Sequence, residues 1–128
     1  MKYLGIDYGE KNVGIAVSDD GGSLAFAKVV LKNDKQLLEN VLKICEKEKI
    51  GAVILGESLD FDGNPNLVMK DILVFKNKFE RISGLQIYLE PEFLTSAEAE
   101  RIQGKNDKID ASAAALILKS YLEKQKIG

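Results

Sequence analysis

Lys2-Tyr-Leu-Gly-Ile-Asp7-Tyr8, then Gly9-Glu-Lys11, then Asn12-Val-Gly-Ile-Ala-Val-Ser18 is the stretch that decides the fold. Two short runs rich in β-branched and aromatic residues flank a three-residue turn with glycine at its head. That pattern predicts an antiparallel hairpin with strands over 2–8 and 12–18. Asp19-Asp20-Gly21-Gly22 reads as a second turn, leading into a third strand over about 24–31. The chain therefore opens with three hairpin-linked strands.

The apolar period then changes. Leu37, Leu38, Val41, Leu42, Ile44 and Cys45 mark one face of a helix over about 34–49, with Asn33 or Asp34 as its cap. Gly51-Ala-Val-Ile-Leu-Gly56 is continuously apolar, as expected of a strand covered on both faces. Asn64-Pro65 predicts the start of a second helix, whose stripe is Val68, Ile72, Phe75, Phe79 and Ile82. Leu85–Leu89 reads as a fifth strand. Thr95 with Glu98 fits a capping box for a short helix to about 102, and Asn106 or Asp107 caps a last helix to about 124.

The order β-β-β-α-β-α-β-α-α describes an α/β domain over 1–128 with an RNase H-like mixed five-stranded sheet. Three strands are antiparallel, the next two run parallel to the first, and helices cover both faces. The first strand is central. The carboxyl ends of strands one, four and five then share one edge, where open α/β sheets tend to place their ligands.

Composition narrows the chemistry. The 128 residues contain no histidine and one cysteine, Cys45, which removes Ser-His and Cys-His nucleophilic pairs, histidine metal ligands and an intramolecular disulfide. An enzyme built from this set must use Asp, Glu, Lys, Tyr, backbone groups or a cation held by oxygen ligands, which suit magnesium or manganese. No apolar run approaches the ~18 residues of a membrane span, and the expected location is the cytoplasm. The net charge of −2 gives no general basic surplus, so any grip on phosphates must come from a local basic rim.

Four segments carry acids toward the shared edge. Asp7 sits near the end of an apolar strand, where an ionised group is costly unless paired or metal-bound, although a turn-forming Asp before Gly9 is the plain alternative. Glu57 follows strand four and is expected beside Asp7, against the alternative of a solvated loop glutamate. Glu90-Pro91-Glu92 follows strand five and can aim one carboxylate into the same edge. Asp110 lies among small residues in Lys108-Ile-Asp-Ala-Ser-Ala-Ala114, where a helix dipole alone would also accommodate it. Clustered carboxylates repel unless a divalent cation neutralises them, and a pair of such cations can activate water against a phosphodiester. Asp19-Asp20 and Asp60-Phe61-Asp62-Gly63-Asn64 read as turns, the latter lacking the bidentate acid of a calcium loop.

Leu4-Gly-Ile-Asp-Tyr-Gly-Glu-Lys-Asn-Val-Gly-Ile-Ala-Val-Ser-Asp19 closely resembles the opening of the YqgF family, also called RuvX. Val53-Ile-Leu-Gly56 with Leu59 and Asp62-Gly63, then Glu92-Phe-Leu-Thr-Ser-Ala-Glu-Ala-Glu100, then Lys108–Leu122 are similar to its later segments in the same order. The resemblance implies that Asp7, Glu92 and Asp110 form an acidic triad that holds the metal and performs catalysis. It implies a nuclease that trims the precursor of 16S ribosomal RNA, with resolution of Holliday junctions as the older proposal. The chain departs from the family pattern at Pro91 (usually Asp), Phe93 (usually Arg) and Glu10 (usually Thr), and the basic segment before the last helix is shortened to 103–107. Glu57 stands where the family has an apolar residue, yet related resolvases carry an acid at that strand end.

The expected partner is nucleic acid, either pre-rRNA or branched DNA, held by Lys11, Lys105 and Lys108 around the acidic edge, with Phe93 offering a stacking face. No membrane partner is expected, and the protein reads as a monomer or homodimer. A non-catalytic RNA- or protein-binding member of the fold is the alternative of another class. An actin/Hsp70-type nucleotide module also opens on Asp-x-Gly and a strand, but requires two lobes.

Overall fold

The computed structural model describes residues 1–59, 68–93 and 107–127, and for 58, 59, 92, 93, 107–111, 126 and 127 it describes the backbone path alone. The elements are β1 (Tyr3–Tyr8), β2 (Asn12–Ser18), β3 (Ala25–Lys32), α1 (Leu37–Glu48), β4 (Ala52–Leu59), α2 (Met69–Ser83), β5 (Ile87–Phe93) and α3 (Asp107–Ile127). One sheet of order β3-β2-β1-β4-β5 holds all five strands. β2 pairs antiparallel with β1 and β3, while β4 lies parallel to β1 and β5 parallel to β4. The expected mixed sheet with a central first strand is therefore what forms.

Strand alternation sorts the core into two layers. Leu4, Ile6, Val13, Ile15, Val53, Leu55 and Ile87 face α1 and α2, meeting Val41, Cys45, Ile72, Phe75 and Phe79. On the other face Ala16 and Ile54 meet Ala114, Ile117, Leu118 and Leu122 of α3. Gly5 shows how closely α3 lies on the sheet. A Cβ built there would come within 2.8 Å of the Leu118 Cβ and 3.0 Å of the Ala114 carbonyl oxygen. A glycine inside a strand commonly marks such a close approach.

Several boundaries differ from expectation, each for a local reason. Asp34 does not cap α1. Its Oδ1 accepts the Gln36 N–H at 2.9 Å, closing a turn before the helix, and Gln36 stands at the N-cap without a side-chain hydrogen bond. Asn33 does not cap either: its Nδ2 donates to the Gly9 carbonyl at 2.8 Å, and its own N–H donates to the Lys11 carbonyl at 2.9 Å. Ile82 is 58% exposed rather than buried. It belongs to the last turn of α2, which Gly84 ends in a left-handed conformation as the chain leaves for β5.

β5 begins later and runs farther than the Leu85–Leu89 reading. Glu80 Oε2 accepts the Ile87 N–H at 3.0 Å, fixing the strand's start against α2. Pro91 then lies within β5 because that strand is at the edge of the sheet, where a missing N–H is tolerated. The expected helix start at Asn64-Pro65, the turn at Asp60–Asn64 and the helix over 95–102 lie outside the described residues.

Two outcomes are expected. Gly5→Ala forces α3 off the sheet or strains Leu118, lowering stability by ~1–3 kcal/mol as overpacked cores do, measurable as a reduced urea midpoint. The Glu80 carboxyl is held below its ordinary range by the Lys76 hydrogen bond first and the Ile87 N–H second. Its contribution is present above the unfolded value of about 4.3 and is lost as pH falls through the lower folded value. The stability gap between wild type and Glu80→Gln, about 1 kcal/mol at neutral pH for a partly exposed group, should therefore shrink in acid.

Candidate active site

The parallel pairing of β1, β4 and β5 brings their carboxyl ends to one edge. β3 ends there too, since two antiparallel pairings restore the direction of β1. The turn between β1 and β2 is tight: the Gly9 N–H donates to the Asn12 carbonyl at 3.0 Å. A Cβ on Gly9 would meet that same oxygen at 2.6 Å. The two Asn33 bonds tie this turn to the end of β3, so the backbone just after Asp7 is held from both sides.

Asp7 is half-buried on the α3 face, two residues beyond Gly5. Its neighbours across the sheet have no side chains. Gly14 is its register partner on β2, and Gly56 lies one step beyond the Ile6–Leu55 pair on β4. Neither neighbouring strand therefore places a side chain beside the Asp7 carboxylate. Next in the same row comes Glu90 of β5, paired with Gly56, its Cα about 10 Å from that of Asp7 at two strand spacings. Glu90 is 3% exposed. Its Oε2 accepts the Ser120 hydroxyl at 2.9 Å and the Lys124 ammonium at 2.6 Å, so this acid fastens β5 to α3.

The helix direction decides where Asp110 falls. Ala114 and Leu118 lie on Gly5, and the Tyr121 ring centroid is 6.0 Å from that of Tyr3. α3 therefore runs antiparallel to β1, and the backbone of Asp110, one turn before Ala114, comes to the level of Asp7. Glu92 occupies the β5 position two beyond Glu90, opposite Ser58. The side chains of Glu92 and Asp110 lie outside the described residues.

Glu57 is not brought beside Asp7. β4 continues unbroken through Gly56 to Leu59, so alternation puts Glu57 with Val53 and Leu55 on the α1–α2 face. The sequence reading ended the strand at Gly56 and so lost the alternation. Lys11 is exposed in the β1–β2 turn, on the same edge. Phe93 ends β5 and Lys108 lies in the first turn of α3, their side chains not described, and Lys105 lies outside the described residues. Asp19 is structural, as expected: its Oδ1 accepts the N–H groups of Ser23 at 2.6 Å and Leu24 at 3.0 Å.

Sequence reasoning missed Glu90 as a buried tie and Gly5, Gly14 and Gly56 as the space around Asp7. The available signal was glycine recurring inside otherwise apolar strands. Among the described residues no group of three acidic, cysteine or histidine side chains is placed to hold a metal ion. The donor chemistry nevertheless suits one: the chain has no histidine, Cys45 is buried in the α1–α2 layer, and carboxylate oxygen favours a hard cation.

Three antiparallel strands, two parallel ones and an acid on the central strand's carboxyl end give an RNase H-like fold. Thermus thermophilus RuvC in complex with a Holliday junction substrate is similar over 98% of this chain and 96% of its own, at TM-score 0.63 and 16% identity. The fowlpox virus Holliday junction resolvase is similar over 97% and 99%, at TM-score 0.59 and 21% identity. These likenesses concern the fold. A family model described as RuvX, Holliday junction resolvase, matches residues 1–124, and the chain belongs to that family.

Relatives at higher identity share one name, "Putative pre-16S rRNA nuclease". The protein so named from Nitratidesulfovibrio vulgaris (strain Miyazaki F) is 38% identical over 132 residues, covering 95% of this chain and 93% of the relative. That from Thermoanaerobacter pseudethanolicus is 28% identical over 137 residues, covering 98% and 99%.

Glu90→Ala should lower stability by ~1–3 kcal/mol, because it strands the Ser120 hydroxyl while Lys124 turns to water. Glu90→Gln, which keeps an oxygen acceptor, should cost less. Urea denaturation of the pair measures the difference.

Proposed function

We propose that the protein is a metal-dependent endonuclease that hydrolyses phosphodiester bonds in structured nucleic acid. Its favoured substrate is the precursor of 16S rRNA, trimmed at the 5′ end. The observation that carries this reading is Asp7, flanked by Gly14 and Gly56 on the face that α3 closes. The relatives' shared name favours the rRNA substrate. The family description favours a second substrate, the four-way DNA junction.

In this reading Asp7, Glu92 and Asp110 are the catalytic and metal-holding acids. Backbone positions support this: Glu92 follows Glu90 by two residues on β5, and Asp110 lies one helix turn before Ala114. Magnesium or manganese, when bound, supplies the Lewis acidity that makes water a nucleophile and offsets charge on the leaving oxygen. The chain's own groups do the rest. Asp7 is held on a rigid central strand, so its carboxylate is oriented before substrate arrives. Lys11, Lys105 and Lys108 neutralise phosphates around the edge, and Phe93 stacks on a base. The protein works in the cytoplasm as a monomer or homodimer.

The test is cleavage of an end-labelled pre-16S segment, and in parallel a four-way DNA junction, with manganese or magnesium. Asp7→Asn should lose more than about a hundredfold in rate, the scale of a group acting at the reacting centre, with its melting temperature retained. Glu92→Gln should fall similarly, whereas Glu57→Gln should keep its turnover number. A Glu57 variant as inactive as Asp7→Asn, with Glu92→Gln active, would exchange their roles. Cleavage by Asp7→Asn at the wild-type rate would end the reading.

A further inference from the structure

The α1–α2 face carries a cavity that the acidic site does not use. It has a volume of about 280 Å³ and opens between β1, the start of α1 and α2, with Tyr8, Phe75, Lys35, Lys78, Asp34 and Asp71 in its lining. Tyr8 is the residue after Asp7 on β1, with its ring on the opposite face. The cavity therefore begins one residue from the candidate catalytic acid, around the same edge of the sheet. Its volume lies just under the ~300–1,000 Å³ of drug-sized pockets, and suits one flat heteroaromatic ring system.

The lining has the chemistry of a nucleobase site. The half-buried Tyr8 ring offers an aromatic wall, with the buried Phe75 ring packed beside it at 5.6 Å between centroids. The Asp71 and Asp34 carboxylates are acceptors of the kind that read exocyclic amino groups. Lys35 and Lys78 are exposed, and neither forms an ion pair with another described residue. Lys43 and Lys76 on the same two helices, by contrast, pair with Glu39 and Glu80. An aromatic wall, acceptors and unpaired ammonium groups together match a base with its adjoining phosphates. They do not match a lipid or an apolar peptide.

We propose that this cavity receives one unpaired nucleotide of the substrate, its base against Tyr8 and Phe75 and its phosphates on Lys35 and Lys78. The strand then bends around the carboxyl edge, with the cleaved bond on the Asp7 side and the unpaired base on the Tyr8 side. This rests on the nuclease reading and adds to it a structural requirement, an unpaired nucleotide beside the bond to be cut. Recognition of that kind selects structure with little dependence on sequence, because every base has a face to stack.

The experiment is binding without cleavage, using Asp7→Asn protein and three RNA stems: fully paired, with a one-nucleotide 2-aminopurine bulge, and with an abasic bulge. The proposal expects the bulged stem to bind about tenfold or more tighter than the other two, the scale of one base stacked on aromatic residues, with a change in 2-aminopurine fluorescence. Adding Tyr8→Leu should remove that advantage, and Lys35→Ala with Lys78→Ala should weaken the bulged stem more than the equal charge loss of Lys47→Ala with Lys119→Ala does. Equal affinity for the three stems, an advantage that survives Tyr8→Leu, or equal weakening by the two lysine pairs would overturn the cavity's role. Cleavage of the paired stem by the wild type is scored separately, so the nuclease reading can stand when the cavity fails, and the binding result holds if cleavage is absent.

Discussion

Everything at the carboxyl edge depends on how closely α3 lies on β1. With no side chain at Gly5, the Ala114 carbonyl and the Leu118 Cβ come to contact distance of the strand backbone. That approach sets the height of the whole helix above the sheet. It brings the first turns of α3 level with Asp7, and it lets Ser120 and Lys124 reach the buried Glu90. A bulkier residue at position 5 would separate the two walls of the site without touching any acid in it.

The row Asp7, Gly56 and Glu90 shows how one face can assign different tasks to similar groups. Glu90 lies under α3 and has its charge met by Lys124 and Ser120, which makes it a fastening. Asp7 lies near the open end of β1, with a glycine beside it on each neighbouring strand. Burial and neighbours distinguish the two acids, not residue type. A buried acid whose partners come from a helix is satisfied within the protein, whereas clustered acids at an edge call for a cation.

Alternation also explains why one edge serves two surfaces. Asp7 and Tyr8 are consecutive, yet a β-strand sends them to opposite layers. The acid joins the α3 side, the ring joins Phe75 between the sheet and α2. The two surfaces lie within a short path of one another, and the Asn33 bonds to Gly9 and Lys11 keep the intervening turn fixed.

The local patterns were enough for the order of elements, the hairpin, the central place of β1 and the candidacy of Asp7, because period-two and period-3.6 burial and glycine turns act over a few residues. The sequence also carried the resemblance that singles out Glu92 and Asp110. Faces and partners needed the folded chain. Glu57 looked like a neighbour of Asp7 until β4 proved to run on through Gly56, turning it to the other layer. Asn33 and Asp34 looked like helix caps, but the β1–β2 turn and a preceding turn claim their side chains. Glu90, read as an acid just past strand five that could be a solvated loop residue, lies in the sheet beneath α3 because β5 runs on beside β4 to Phe93. In each case a contact between residues distant in the chain outweighed a local preference, and such contacts exist only after the layers have packed.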